Sequence, residues 1–377
     1  MADAPDTAPD TPAPDALAPD TQPDAPAQDD TDPALRHHGD AEVTPGLLDF
    51  AVNVQGDAPP RWLRDRLVAA LDDLARYPTA AADARARAAV AARHGRRPDE
   101  VLVLAGSAEG FALLPALRPR LAAIVHPGFT EPEAALRTAG VPVVRVLTTE
   151  ADGHRLRPDD VPDAADLVVV GNPTNPTAVL HPADAIRALG RSGRVVVVDE
   201  AFADALPGEP ESLAGADVPG LLVFRSLTKT WALAGLRAGY VLGAPALLAR
   251  LARPRPPWPV STLALEAVAA CCAPEALDAA RRAAEALVRR RAAQAAALAA
   301  VPGVTVLPGV APYLLLRLPD GQGERVRAEL RAAGVAVRRG DTFPGLSPDH
   351  VRVAVRSAAQ VQQLVRGLAT ALAEVPA

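Results

Sequence analysis

Between residues 60 and 245, short runs of branched apolar residues alternate with stretches whose apolar positions recur every three or four residues. VLVLAG (101–106), LAAIVH (121–126), VVRVL (143–147), DLVVVG (166–171), RVVVVDE (194–200), LLVFRS (221–226) and RAGYVLG (237–243) read as strands. Most lack strict polar alternation, as expected of strands covered on both faces. EPEAALRTAG and PADAIRALGRSG lie between them and read as helices. The pattern predicts an α/β domain with a mostly parallel central sheet. The last two runs are too close together for a helical crossover, so one strand is expected to run antiparallel.

Past residue 250 the pattern changes. Residues 274–300 form the longest helical stretch, with an Arg run read as a solvated face. VPGVTVL, APYLLLRL, VAVRR and HVRVAV then supply strands, with helices at 323–333 and 357–373, which together predict a smaller α+β domain. At the other end, residues 1–34 repeat Ala, Pro and Asp with almost no large apolar side chain. Such a segment cannot offset its ordering entropy by burial and is read as a disordered acidic tail. Order is expected to begin near Leu47, in LDFAVNV. The expected division is a tail at 1–34, an N-terminal arm and large domain at 35–250, and a connecting helix and small domain at 251–377.

Composition narrows the function. Apolar residues make up 49 % of the 377, enough for a sizeable core, but aromatics only 3 %. Nine Asp and no basic residue fall in the first 32 positions, and without them the chain is nearly neutral. No concentrated basic stripe remains to favour nucleic acid. Cys271 and Cys272 are adjacent and cannot staple distant elements, which reads as a reducing compartment. No apolar run is long enough to span a bilayer and no signal-peptide pattern is present, so a cytoplasmic protein is expected. The chain also holds 38 Arg against a single Lys, Lys229. Arginine stays protonated, whereas lysine can form a Schiff base once its pKa falls. A chance surface lysine is the bland alternative.

Four motifs fall at expected strand ends, where ligands bind in open α/β sheets. GSAEG (106–110) turns a strand into a helix and suits a phosphate, or is an ordinary tight turn. NPTNPT (172–177) makes a rigid turn that can place Asn175 over the sheet edge. In DEAF (199–202), Asp199 ends a wholly apolar strand and needs a cationic or hydrogen-bonding partner. No suitably spaced ligand cluster accompanies it, so no metal is expected. In SLTKTWALAGLRAGY (226–240), Ser226 and Arg237 flank Lys229 as phosphate ligands.

In order and spacing these motifs resemble the fold-type I pyridoxal-phosphate enzymes of the class I/II aminotransferase group, over roughly residues 37–373. The resemblance implies pyridoxal 5'-phosphate as cofactor, with Lys229 bonded to its aldehyde carbon and Asp199 pairing with the ring nitrogen. It implies Asn175 on the ring hydroxyl, and Gly106, Ser107, Ala108, Ser226 and Arg237 around the phosphate. Phe129, in HPGFTEPEAAL, would stack on the ring. Tyr77, in RYP, would reach the phosphate in a neighbouring subunit, which implies a homodimer with shared active sites. Arg352, in VRVAVR, would clamp a substrate carboxylate and Arg338 a second anionic group. Within the group the chain is similar to threonine-phosphate decarboxylases and histidinol-phosphate aminotransferases. Phe202 in place of a frequent Tyr, together with HHGD (37–40), LDFAVNV and the RVAVR ending, favours the decarboxylase branch. The expected function is therefore decarboxylation of a small phosphorylated amino acid, as in cobalamin synthesis. A histidinol-phosphate-type aminotransferase is the alternative, and a non-catalytic cofactor-binding regulator a further one.

Overall fold

The computed structural model describes residues 32–373. The acidic tail expected at 1–34 lies outside the described residues except for its last three. The chain packs earlier than Leu47: short 3-10 turns at Pro33–Arg36 and Gly39–Glu42 come first, and Leu35 is buried. The Leu35 carbonyl accepts a hydrogen bond from Thr130 Oγ1 at 2.6 Å. One apolar residue among polar ones has no periodicity, so the pattern could not announce it.

The first strand, β1 (Leu48–Asp49), is followed by seven that share one sheet. They are β2 (Val101–Leu104), β3 (Ala122–His126), β4 (Val143–Leu147), β5 (Leu167–Gly171), β6 (Val195–Asp199), β7 (Leu221–Ser226) and β8 (Gly239–Gly243). Their spatial order is β2-β8-β7-β6-β5-β3-β4. β8 runs antiparallel to both its neighbours and the other pairings are parallel, as the short β7–β8 spacing requires.

Strand alternation divides the large sheet between two cores. Val168, Val170, Val196, Val198 and Val223 face one core, which includes Val90 and Ala267 of the helices Ala80–His94 and Thr262–Cys271. Leu167, Val169, Val197, Leu222 and Phe224 face the other, with Phe111 and Leu113 of the helix Ser107–Leu113. That helix lies directly on β7 because Gly110 has no side chain: a Cβ there would sit 2.0 Å from Phe224.

The later strands are β9 (Thr305–Val306), β10 (Tyr313–Arg317), β11 (Val335–Ala336), β12 (Arg338–Arg339) and β13 (His350–Ala354). VAVRR, read as one strand, is two, divided at Val337. β11 pairs in parallel with β1, whereas β12 joins the antiparallel order β12-β13-β10-β9. The helices Gly323–Ala332 and Ala358–Ala373 pack here through Val326, Leu330, Leu364 and Leu368. Phe50, next to β1, is buried in the same core. The long helix spans Pro274–Ala299. Among the described residues no helix is long and apolar enough to cross a membrane.

Candidate active site

Parallel pairing brings the C-terminal ends of β5, β6 and β7 to one edge, with Gly171 opposite Asp199 and Asp199 opposite Phe224. The loops leaving that edge carry NPTNPT, the residues after Asp199, and the Lys229 turn. A cavity of about 520 Å³ opens there, within the range of small-molecule sites.

Alternation decides which side chains reach it. Asp199 follows Val197 and Ser226 follows Phe224, so both lie on the face of the helix Ser107–Leu113, and both line the cavity. Asp199 accepts a hydrogen bond from the Ala201 amide at 3.1 Å, but burial raises its pKa to about 6. Lys229 lines the same cavity, and its amine has no hydrogen bond or ion pair among the described residues. Burial, then Arg352 and Arg237, lower its pKa to about 8. A buried acid held partly protonated beside a partly neutral amine is the pairing that nucleophilic and proton-transfer chemistry uses.

Anion donors gather next to them. Ser226 Oγ is 2.7 Å from Thr228 Oγ1, and both residues line the cavity with Ser107, Ala108 and Arg237. Gly106 does not line it directly. It has φ +80°, and a Cβ there would meet Arg237 Nη2 at 2.7 Å, so the bare glycine lets the guanidinium lie against the turn. Phe129 borders the cavity, its ring centroid 5.9 Å from that of Phe111 and 5.5 Å from that of His38.

The smaller sheet supplies two arginines. Arg338 and Arg352 are direct cross-strand partners on β12 and β13, an arrangement in which like charges repel. Burial, then Arg338, pulls Arg352 down to about 9. Arg352 donates to Asn175 Oδ1 and to the Ala51 carbonyl, while its Nε is buried without a partner. It has no carboxylate ion pair among the described residues. Arg338 donates to the His37 carbonyl at 2.6 Å and lies over the Phe343 ring at 4.6 Å. Two adjacent guanidiniums at a cavity wall, one without a counter-ion, make an anion site. Because Asn175 uses Oδ1 to accept from Arg352, its amide N–H groups remain to serve an oxygen in the cavity.

Of the residues singled out in the sequence, the cavity gathers all but Gly106, which abuts it, and Tyr77. Tyr77 is 71 % exposed and stacks on Trp258 with centroids 4.2 Å apart, away from this chain's own cavity. The lining also holds His38, Asp40, Asn53, Thr228 and Phe343, which the sequence reading did not pick. HHGD and LDFAVNV were visible as motifs, but nothing in their pattern shows that the N-terminal arm folds back over β13. Thr228, one residue before Lys229, was the detectable one.

The cavity thus defines a class of enzyme that holds an aldehyde cofactor through a lysine and a strand-end aspartate. The donor set fits pyridoxal phosphate: hydroxyls and a guanidinium for a phosphate, an amine for an aldehyde, a carboxylic acid for a ring nitrogen. Asn53 Oδ1 and Arg352 Nε, both buried and unpartnered, mark polar positions at this cavity that the protein alone leaves unsatisfied.

Residues 45–368 match the family "Aminotransferase class I and II", and the chain belongs to that family. It is 55 % identical to a histidinol-phosphate aminotransferase of Mycobacterium tuberculosis over 329 residues, covering 87 % of this chain and 89 % of that protein. It is 34 % identical to a threonine-phosphate decarboxylase of Salmonella typhimurium, covering 86 % and 91 %. The fold superposes on a histidinol-phosphate aminotransferase structure from Clostridium acetobutylicum with a TM-score of 0.80 at 21 % identity, over 87 % of this chain and all of that one. The protein is a pyridoxal-phosphate-dependent enzyme of this family. The alternative of a non-catalytic regulator does not stand.

Proposed function

We propose that the protein is a histidinol-phosphate-type aminotransferase, moving the amino group of a phosphorylated amine to a 2-keto acid. The observation that carries the substrate class is the 55 % identity to the mycobacterial aminotransferase, against 34 % to the decarboxylase. Phe202 is one of the features that favoured decarboxylation from sequence. It lines the cavity and is buried with its ring edge-on to Tyr313, at 5.0 Å and 78°.

When bound, the cofactor supplies an aldehyde carbon for amine exchange and a ring that accepts electron density from the substrate's Cα. Asp199 holds a proton or a positive charge at the ring nitrogen, which its raised pKa suits. Asn175 donates to the ring oxygen, its flip fixed by Arg352. Ser107, Ser226, Thr228 and Arg237 bind the cofactor phosphate, with the amides of the Gly106 turn, and Phe129 flanks the ring. Lys229 Nζ, with its lowered pKa, would accept the proton from the substrate's Cα and hold it for return. Arg352 and Arg338 bind the anion of each substrate in turn: the phosphate of the amine, then a carboxylate of the keto acid. Tyr77, exposed beside Trp258, Leu74 and Leu71, serves the site of a second copy in a homodimer.

The test is a paired assay. L-histidinol phosphate with 2-oxoglutarate should yield glutamate, and turnover should cease without the keto acid. Carbon dioxide released from O-phospho-L-threonine with no acceptor, and no glutamate from histidinol phosphate, would replace this reading with the decarboxylase. Turnover recovered by mixing Lys229→Ala with an impaired Tyr77→Ala chain would support the shared site; none, despite subunit exchange, would remove Tyr77 from it.

A further inference from the structure

The turn that carries Asn175 has an anchor on its far side. His181 lies nine residues after Asn172, is 2 % exposed, and is clamped through its backbone by the Asn172 side chain. The His181 amide donates to Asn172 Oδ1 at 2.8 Å, and Asn172 Nδ2 donates to the His181 carbonyl at 3.1 Å. The ring then makes two contacts that fix its tautomer. Nδ1 accepts from the Leu156 amide at 3.3 Å, so the proton sits on Nε2. Nε2 is 3.0 Å from Thr174 Oγ1 and donates to it, and the Thr174 hydroxyl donates onward to the Gly171 carbonyl at 2.8 Å. Each donor in the series has one acceptor, so the series has one direction.

Thr174 immediately precedes Asn175, and its carbonyl also accepts from Tyr313 Oη at 2.9 Å. Its neighbour is held in turn by Arg352. We propose that neutral His181 is a positioning residue, acting through Thr174 to hold Asn175 where its amide meets the cofactor ring oxygen. This rests on the assignment of Asn175 under the proposed function. Burial, with His154 nearby, lowers the His181 pKa to about 4, which keeps the ring neutral and Nδ1 free to accept. The chemistry could not be filled by a generic buried group: it needs one acceptor and one donor about an imidazole's width apart.

The test uses the cofactor-loaded enzyme and reads the pH midpoint of the bound cofactor's absorbance, cofactor affinity and melting temperature. Asn175→Ala sets the reference, because loss of a donor to the ring oxygen raises that midpoint. His181→Asn can still face Leu156 but falls short of Thr174. It should raise the midpoint in the same direction and weaken cofactor binding roughly 2- to 10-fold, the range of one neutral hydrogen bond. His181→Gln, whose amide reaches the Nε2 position, should recover most of both. Thr174→Val should reproduce the His181→Asn shift, and the double variant should add little beyond either, as coupled residues do. A lower melting temperature with unchanged midpoint and affinity would make His181 a core residue and overturn the proposal. So would strictly additive effects. If His181→Asn does not fold, Thr174→Val against wild type decides by the same readouts. An Asn175→Ala midpoint equal to wild type would instead overturn the role of Asn175, and with it this inference.

Discussion

Two charged clusters begin one residue apart in the chain and differ in nearly everything else. On one face of the large sheet, Asp199 and Ser226 open into the cavity with Lys229, where, among the described residues, the amine is unpaired and the acid has one backbone donor. On the other face, Glu200 and Arg225 belong to a network that closes on itself. Arg225 binds Glu200 at 3.0 Å and Glu209 at 2.6 Å and also contacts Asp204, while Arg93 bridges Asp204 and Glu209 at 2.7 Å each. Ser212 Oγ donates to the same Glu200 oxygen as Arg225, and the Leu213 amide donates to the other. Burial opposes ionisation of Asp204, yet Arg93 and Arg225 outweigh it and hold the carboxyl well below its usual range. Burial raises Asp199, which has no arginine partner among the described residues, and it raises Glu200 as well despite Arg225, so the clusters differ in saturation rather than in the direction of titration. The first cluster is half-buried at the cavity and the second is buried. Only the saturated one is finished without a ligand, and that is the difference between a structural and a functional charge.

The largest effect should come from the unsaturated side. Lys229→Ala should lower turnover by several orders of magnitude, because the same amine bonds the cofactor and moves the proton. As Lys229 is the sole lysine, borohydride reduction should label one peptide, and label on the N-terminal amine alone would remove Lys229 from the chemistry. Next is the saturated side. Arg225→Ala leaves Glu200, Asp204 and Glu209 facing one another and should destabilise the fold by about 3–5 kcal/mol, measured by denaturant unfolding. Activity per folded molecule should change little. A folded Arg225→Ala of normal stability but with lost cofactor binding would merge the two clusters into one site.

The Asp199 carboxyl allows the contrast to be read through pH. Its folded pKa of about 6 lies above the ordinary value of 3.8, so the folded cofactor-free chain holds the proton more tightly than the unfolded chain. Its stabilising contribution is fully present below about pH 4 and is lost as the pH rises through about 6. The loss amounts to about 3 kcal/mol at most. Asp199→Asn, which mimics the protonated acid, should flatten that segment of the stability profile, with the difference between the two proteins read by denaturant titration at pH 4 and pH 7. A positively charged ring nitrogen bound at Asp199 should reverse the trend, so loaded wild-type enzyme should not lose this increment. Parallel profiles for the two cofactor-free proteins would show that Asp199 is already ionised and partnered.

The cavity side was largely legible from sequence because it uses local signals. Each of Asp199, Ser226 and Lys229 sits at the end of an apolar run or just after it, and parallel strands bring such ends together. Asn175 was legible through its Pro neighbours. What stayed hidden depended on contacts distant in sequence. Arg338 and Arg352 were named separately, but that they face each other across β12 and β13 needs the register. His38 and Asp40 reach the cavity from an arm whose one buried apolar anchor before Gly39, among the described residues, is Leu35. The Arg225 network was invisible for a related reason: in LLVFRS its arginine reads as a polar break at a strand end, and its partners come from Glu200 to Ser212 and from Arg93. Local pattern announces strand ends; it does not announce which charges meet behind them.

The smallest expected effect isolates the cavity side from backbone conformation alone. Gly106 and Gly193 both have positive φ, +80° and +77°, and lie toward opposite ends of the large sheet, after β2 and before β6. Replacing either by Ala forces an L-residue to positive φ, and Gly106, with ψ 158°, lies in a region that is nearly exclusive to glycine, at about 1–3 kcal/mol. At Gly193 an added Cβ meets nothing within 4 Å, so the cost ends there. At Gly106 it would press Arg237 Nη2 at 2.7 Å, and the guanidinium must leave the turn. Gly106→Ala should therefore lose the more stability in urea, and it alone should bind pyridoxal phosphate more weakly in equilibrium dialysis. The added weakening should stay within the roughly 1.5–3 kcal/mol of one hydrogen bond to a charged group. Equal cofactor affinity in both would mean that Arg237 is free to move without loss, and that the phosphate is held by Ser226, Thr228 and the turn amides instead.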